Sequence, residues 1–202
     1  MRPARATGQV QLVVIGSSTG GPAALSEVLP QLAATFPAPI AIVQHMPALF
    51  TKQFAERLDR LSGLRVREAV DGAPLGPGDV VVAAGDRHLE VARKGGQLVT
   101  RCTDGPPENY CRPAVDVLFR SAAATLGRGV HALILTGMGT DGREGARAIV
   151  GAGGDVAVQD AASSVVWGMP GAAATAGLAS SVLPLDKVAH HLTERVHGRS
   201  GS

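Results

Sequence analysis

Four short, nearly continuous apolar runs set the limits on this fold. They are VQLVVI (10–15), IAIVQ (40–44), VHALILT (130–136) and DVAVQ (155–159). Each is rich in β-branched residues, too short for a helix, and apolar on both faces. Such runs are what strands of a parallel sheet look like when helices cover both sides. Most are followed by a glycine- or proline-marked turn and then by residues at helical spacing. That alternation predicts an α/β domain with a doubly wound, mainly parallel, Rossmann-like sheet and right-handed crossovers.

The helical stretches read as follows. GSSTGGP (16–22) breaks the first strand, and AALSEVLPQLA continues from it, with Pro22 suited to a first helical turn. Leu49, Phe50, Phe54, Leu58 and Leu61 form an amphipathic series. Pro113 opens AVDVLFRSAAATL, and REGARAIVGAG follows the third apolar run. AASSVVWGMPGAAATAG reads as two short helices around Pro170, and LDKVAHHLTERV as a final amphipathic helix. The middle differs. LRVREA, DVVVAA, HLEVAR and QLVTRC, with a turn at Lys94-Gly95-Gly96-Gln97, predict an antiparallel flap over roughly residues 64–103. Residues 103–113 read as a proline-rich surface loop. We expect one domain over 10–196, with disordered tails at 1–9 and 197–202.

Composition narrows the function. Nineteen Lys+Arg against seventeen Asp+Glu leave no phosphate-binding excess, and four Phe, one Trp and one Tyr are too few for a nucleic-acid stacking platform. Nucleic acid is therefore not an expected partner. Cys102 and Cys111 lack CxxC or paired-His spacing for zinc and read as free thiols in a reducing compartment. No metal or cofactor is expected. The N-terminal MRPARATGQ has no apolar h-region, and no run approaches the ~20 residues that span a bilayer. The expectation is a soluble, cytoplasmic protein without membrane insertion.

In open α/β sheets, ligands bind outside the carboxyl ends of the strands. Three such ends carry unusual residues: Gly16-Ser17-Ser18-Thr19-Gly20-Gly21, Gln44-His45-Met46-Pro47 and Gly137-Met138-Gly139-Thr140-Asp141-Gly142. A hydroxyl, an imidazole and a carboxylate can converge there as nucleophile, base and orienting group. GxSxG is formally present at 16–20, but the chain order Ser, His, Asp differs from the Ser, Asp, His of α/β-hydrolases. Taken singly, each motif has a plain alternative. A glycine turn serves many nucleotide sites, a strand-end His is commonly structural, and an Asp between Thr and Gly is commonly a cap. His88, His190, His191 and His197 are read as surface residues and His131 as structural.

IGSSTGGP, VQHMP, AAGDRHL, RPAVDVLFRSAA, LTGMGTDGREG and QDAASSVVWGMPGAA occur in this order. Together they closely resemble the catalytic domain of CheB-type protein-glutamate methylesterases of bacterial chemotaxis. The resemblance implies that Ser18 is the nucleophile, His45 the general base and Asp141 the group that orients the imidazole. It implies hydrolysis of glutamate γ-methyl esters on the cytoplasmic domain of methylated chemoreceptors, releasing methanol, with glutamine deamidation as a second activity of some members. Backbone N–H groups near Thr19 and Met138 would stabilise the oxyanion. The family often has Arg after GMP, where this chain has Gly171. It also commonly carries a preceding receiver domain. None is expected here, so activity without a phosphodonor and control by a separate regulatory protein are the corresponding expectations. The alternatives are a non-catalytic anion- or nucleotide-binding α/β module and, ranked last, a nicotinamide-dependent enzyme lacking GxGxxG.

Overall fold

The structure, a computed structural model, describes residues 9–198. The expected disorder of most of both tails lies outside the described residues. Strands β1 (Leu12–Ser17), β2 (Ile40–Gln44), β3 (Arg65–Glu68), β4 (Asp79–Val82), β7 (Val130–Ile134), β8 (Asp155–Gln159) and β9 (Ser181–Leu183) form one sheet in the order β3-β4-β2-β1-β7-β8-β9. Every pairing in it is parallel. β5 (His88–Lys94) and β6 (Gln97–Thr103) make a separate antiparallel hairpin through the Gly95-Gly96 turn.

Six α-helices among the described residues complete the fold: α1 (Gly21–Val28), α2 (Ala48–Leu61), α3 (Val115–Leu126), α4 (Arg143–Gly151), α5 (Met169–Thr175) and α6 (Leu185–Val196). Successive strand residues point to opposite faces, and the core divides accordingly. Leu12, Val14, Val43, Ala132 and Ile134 pack with α3, α4 and α5 and with Leu89 and Val91 of the hairpin. Val13, Ile15, Ile42 and Leu133 pack with α1, α2 and α6 on the other side. Both faces of β1, β2, β7 and β8 are thus removed from water, as their uninterrupted apolar runs require.

Four expectations about the elements, and two about single histidines, need correction. The antiparallel flap shrinks to β5 and β6, because β3 and β4 join the parallel sheet; DVVV is itself a β-branched run buried at Val80, Val81 and Val82. The helix after GSSTGG stops at Val28 and passes into a 3₁₀ turn, since Pro30 has no N–H to continue the ladder. In the α2 series, Phe54 and Leu58 are buried, whereas Leu49, Phe50 and Leu61 face solvent. Only one helix forms around Pro170. The preceding segment is a turn in which the Asp160 carboxylate accepts from both the amide and the hydroxyl of Ser163.

His88 and His191, read as surface residues, are buried. His88 accepts from the Ala114 amide at Nδ1 and meets the Pro106 carbonyl at 2.9 Å with Nε2. His191 lies with its ring centroid 5.2 Å from that of His131, and a ring nitrogen of each lies within 4.8 Å of the Asp155 carboxylate, which also pairs with Arg195. Burial drives the Asp155 carboxyl up, but His131, the Ser180 hydroxyl and Arg195 outweigh it and hold the group well below the usual carboxylate range. A depressed carboxyl stabilises the fold above its unfolded pKa of ~3.9, and that contribution is lost as pH falls through the folded value. Asp155→Asn should therefore lower Tm at neutral pH. The gap to wild type should narrow below about pH 4 in a thermal-melt series; a gap that widens in acid would contradict this reading.

Candidate active site

The sheet reverses its winding direction between β1 and β7, and the crevice at that switch point is where ligands bind in such folds. Residue pairing runs Ser17 opposite Gln44 and Gly16 opposite Ile134, so Ser18, His45 and the 136–142 loop leave the sheet side by side. The Ser18 amide donates to the Thr136 carbonyl at 3.0 Å, and the His45 amide donates to the Ser17 carbonyl at 3.0 Å. Gln44 ties the two loops together. Its side-chain amide donates to the Ser18 and His45 carbonyls, each at 2.9 Å, and its Oε1 accepts from Ser17 Oγ at 2.7 Å. Ser17 is buried and engaged, whereas the Ser18 side chain stands at the rim.

His45 Nε2 lies 2.8 Å from Asp141 Oδ2. Asp141 is buried and accepts four further hydrogen bonds: from the amides of Val115, Asp116 and Gly142 and from the Asn109 side chain. Burial pushes its carboxyl up, yet the His45 bond and the Asp116 and Val115 amides prevail and keep it below the ordinary aspartate value. An ionised carboxylate can only accept, so the ring proton sits on Nε2 and the lone pair on Nδ1. Ser18 Oγ forms no hydrogen bond with this ring in the structure; such bonds commonly tighten only around substrate.

Several contributors were not legible in the sequence. The Glu108–Cys111 turn, held by reciprocal backbone hydrogen bonds, carries Asn109 and Cys111 into the site from the loop read as mere surface. Asn109 also donates to Asp116, whose carboxyl is pushed up by burial, against the opposing Gly145 amide. The amides of Thr19, next to Ser18, and of Met138, in the loop after β7, make no hydrogen bond to another described residue. Beside the exposed Met138 lies an open depression of about 610 Å³, lined among others by Thr140, Arg143, Trp167 and Gly171. A Cβ on Gly171 would come within 2.8 Å of the Trp167 ring, so a larger residue after GMP would have to displace that ring.

A family model for CheB methylesterase matches residues 13–192. The chain belongs to the CheB methylesterase family. It is 59% identical over 186 residues to a protein-glutamate methylesterase/protein-glutamine glutaminase of Nocardioides sp. (strain ATCC BAA-499 / JS614), covering 92% of this chain and 50% of that one. A protein of Paramagnetospirillum magneticum with the same description, numbered 1, is 56% identical over 88% of this chain and 47% of its own length. The chain thus spans about half the length of the curated relatives it matches. The crystal structure of the Thermotoga maritima CheB methylesterase catalytic domain superposes with a TM-score of 0.90 at 44% identity, covering 93% of this chain and 99% of that one. Among the described residues, no helix is long and apolar enough to cross a membrane.

Gly137 gives this CheB-family site a testable steric constraint. A Cβ there would lie 2.4 Å from Met169 Sδ and 2.9 Å from Ser18 Cβ. Gly137→Ala should cost about 1–3 kcal/mol of stability by overpacking and displace the Ser18 turn. Gly151→Ala, with nothing within 4 Å, is the near-neutral control. Equal melting temperatures for the two variants would refute the constraint.

Proposed function

We propose that this chain hydrolyses glutamyl γ-methyl esters on the cytoplasmic domain of methylated chemoreceptors, releasing methanol, in the cytoplasm. Ser18 is the nucleophile, His45 the general base acting through Nδ1, and Asp141 the orienting carboxylate. The observation that carries the reading is the His45–Asp141 hydrogen bond at 2.8 Å beside the Ser18 turn, at the switch point of the sheet. Nδ1 takes the Ser18 proton as Oγ attacks the ester carbonyl. The Thr19 and Met138 amides receive the developing oxyanion, and the imidazolium returns the proton to the leaving methoxide. Water then repeats the sequence on the acyl-enzyme, leaving glutamate. Ammonia leaves in the same way from glutamine, which is the deamidase reaction named for the relatives. A non-catalytic anion module is disfavoured, because anion binding has no use for a carboxylate-oriented imidazole. The test is methanol release from a methylated receptor fragment; no release above the uncatalysed rate would overturn the proposal.

A further inference from the structure

The Nδ1 face of His45, where the base lone pair lies, meets the Cys111 thiol, with Sγ 3.7 Å from Nδ1. We propose that His45 Nδ1 and Cys111 Sγ form an inhibitory binding site for a thiophilic divalent cation of the zinc class. A tetrahedral ion with ~2.3 Å to sulfur and ~2.0–2.1 Å to nitrogen sets those two atoms about 3.6 Å apart. The observed separation therefore needs almost no movement. Ligand atoms of His45, Cys111 and Asp141 all lie within 4.8 Å of one another. Asp141 is saturated by its hydrogen bonds and holds the ring through Nε2. It is the outer carboxylate of a carboxylate–histidine–metal arrangement, which fixes the ring and raises the basicity of the metal-bound nitrogen.

Binding exchanges the thiol proton, released to solvent, for a metal–sulfur bond, and leaves the other coordination positions to water. It also occupies the lone pair that must accept the Ser18 proton, so bound metal and catalysis exclude each other. The other donor cluster among the described residues, His131, Asp155 and His191, is unlike this one. There Arg195 Nε lies 3.1 Å from Asp155 Oδ2 and already supplies a cation. No zinc spacing is visible in the sequence, because His45 and Cys111 lie 66 residues apart.

The inhibitory consequence rests on the proposed esterase reading, but metal binding does not, and the experiment separates them. Cd²⁺ is titrated into the purified chain while thiolate-to-cadmium absorption is followed, with no turnover required. Wild type and Cys102→Ser should show a saturable band of one equivalent, whereas Cys111→Ser and Cys111→Ala should lack it. Asp141→Asn should weaken the band's apparent affinity by about 10–100-fold, as loss of an outer-shell partner does. In the methanol assay, with inhibition referred to each variant's own metal-free rate, Cys111→Ser should need at least ~10-fold more Zn²⁺ than wild type. A wild-type chain without the band, or a band surviving in both Cys111 variants, overturns the site. Equal Zn²⁺ sensitivity of wild type and Cys111→Ser overturns its inhibitory role.

Discussion

Ser18→Ala should abolish methanol release, with a loss in kcat of roughly six orders of magnitude, the scale found when a serine hydrolase loses its nucleophile. Ser17 is the natural competitor for the role, one residue away in the same turn. Its hydroxyl, however, is buried and donates to Gln44 Oε1 at 2.7 Å, and that bond helps lock the β1 and β2 loops together. A nucleophile must be free to reach substrate and base, and only Ser18 stands at the rim. Ser17→Ala should therefore act mainly on stability, leaving a buried acceptor without its donor at a cost of about 1–3 kcal/mol. Its residual turnover should exceed that of Ser18→Ala by orders of magnitude. The two variants compared by rate and by melting temperature decide the matter: a dead Ser17→Ala beside an active Ser18→Ala would reverse the assignment.

The main sheet was readable because burial on both faces leaves a mark that needs no partner information. VQLVVI, IAIVQ, VHALILT and DVAVQ each contain a strand of the parallel sheet. The same mark was present in DVVV, and proximity to a real hairpin obscured it. Short segments such as 161–168 depart from the helical expectation because apolar spacing says nothing about an Asp160 side chain that captures Ser163 instead. The site divides along the same line. Ser18, His45 and Asp141 follow buried strands, and the strand-end rule brings them to one rim. Asn109 and Cys111 reach it through a turn with Asn109 and Tyr110 at positive φ, and nothing local in ENYC announces a destination across the molecule. In the sequence Gln44 only closes a strand run, while its side chain ties the loops that carry Ser18 and His45.

Asp141→Asn should lower kcat by about 10³–10⁴-fold with little change in KM, as loss of the orienting carboxylate does in serine-protease triads. The structure supplies a local reason. Oδ2 faces His45 Nε2 and the Val115 amide, and Oδ1 faces the amides of Asp116 and Gly142 and the Asn109 side chain. Whichever way an asparagine turns, its NH₂ meets donors. Placed toward His45, the amide donates to Nε2 and drives the ring proton to Nδ1, so the nitrogen that should accept from Ser18 no longer can. Placed toward the α3 and α4 amides, it opposes them and loosens the anchor of the whole loop. The depressed carboxyl makes the stability effect pH-dependent: the Asp141 contribution is present above ~pH 3.9 and fades as pH falls through the folded value, so the variant's deficit should be largest near neutrality and shrink in acid. Nitrogen-15 spectra of the His45 ring test the cause directly. The neutral wild-type ring should carry its proton on Nε2 and the Asp141→Asn ring on Nδ1; an unchanged tautomer, or a variant retaining more than about a tenth of wild-type kcat, would show that Asp141 does not orient the base.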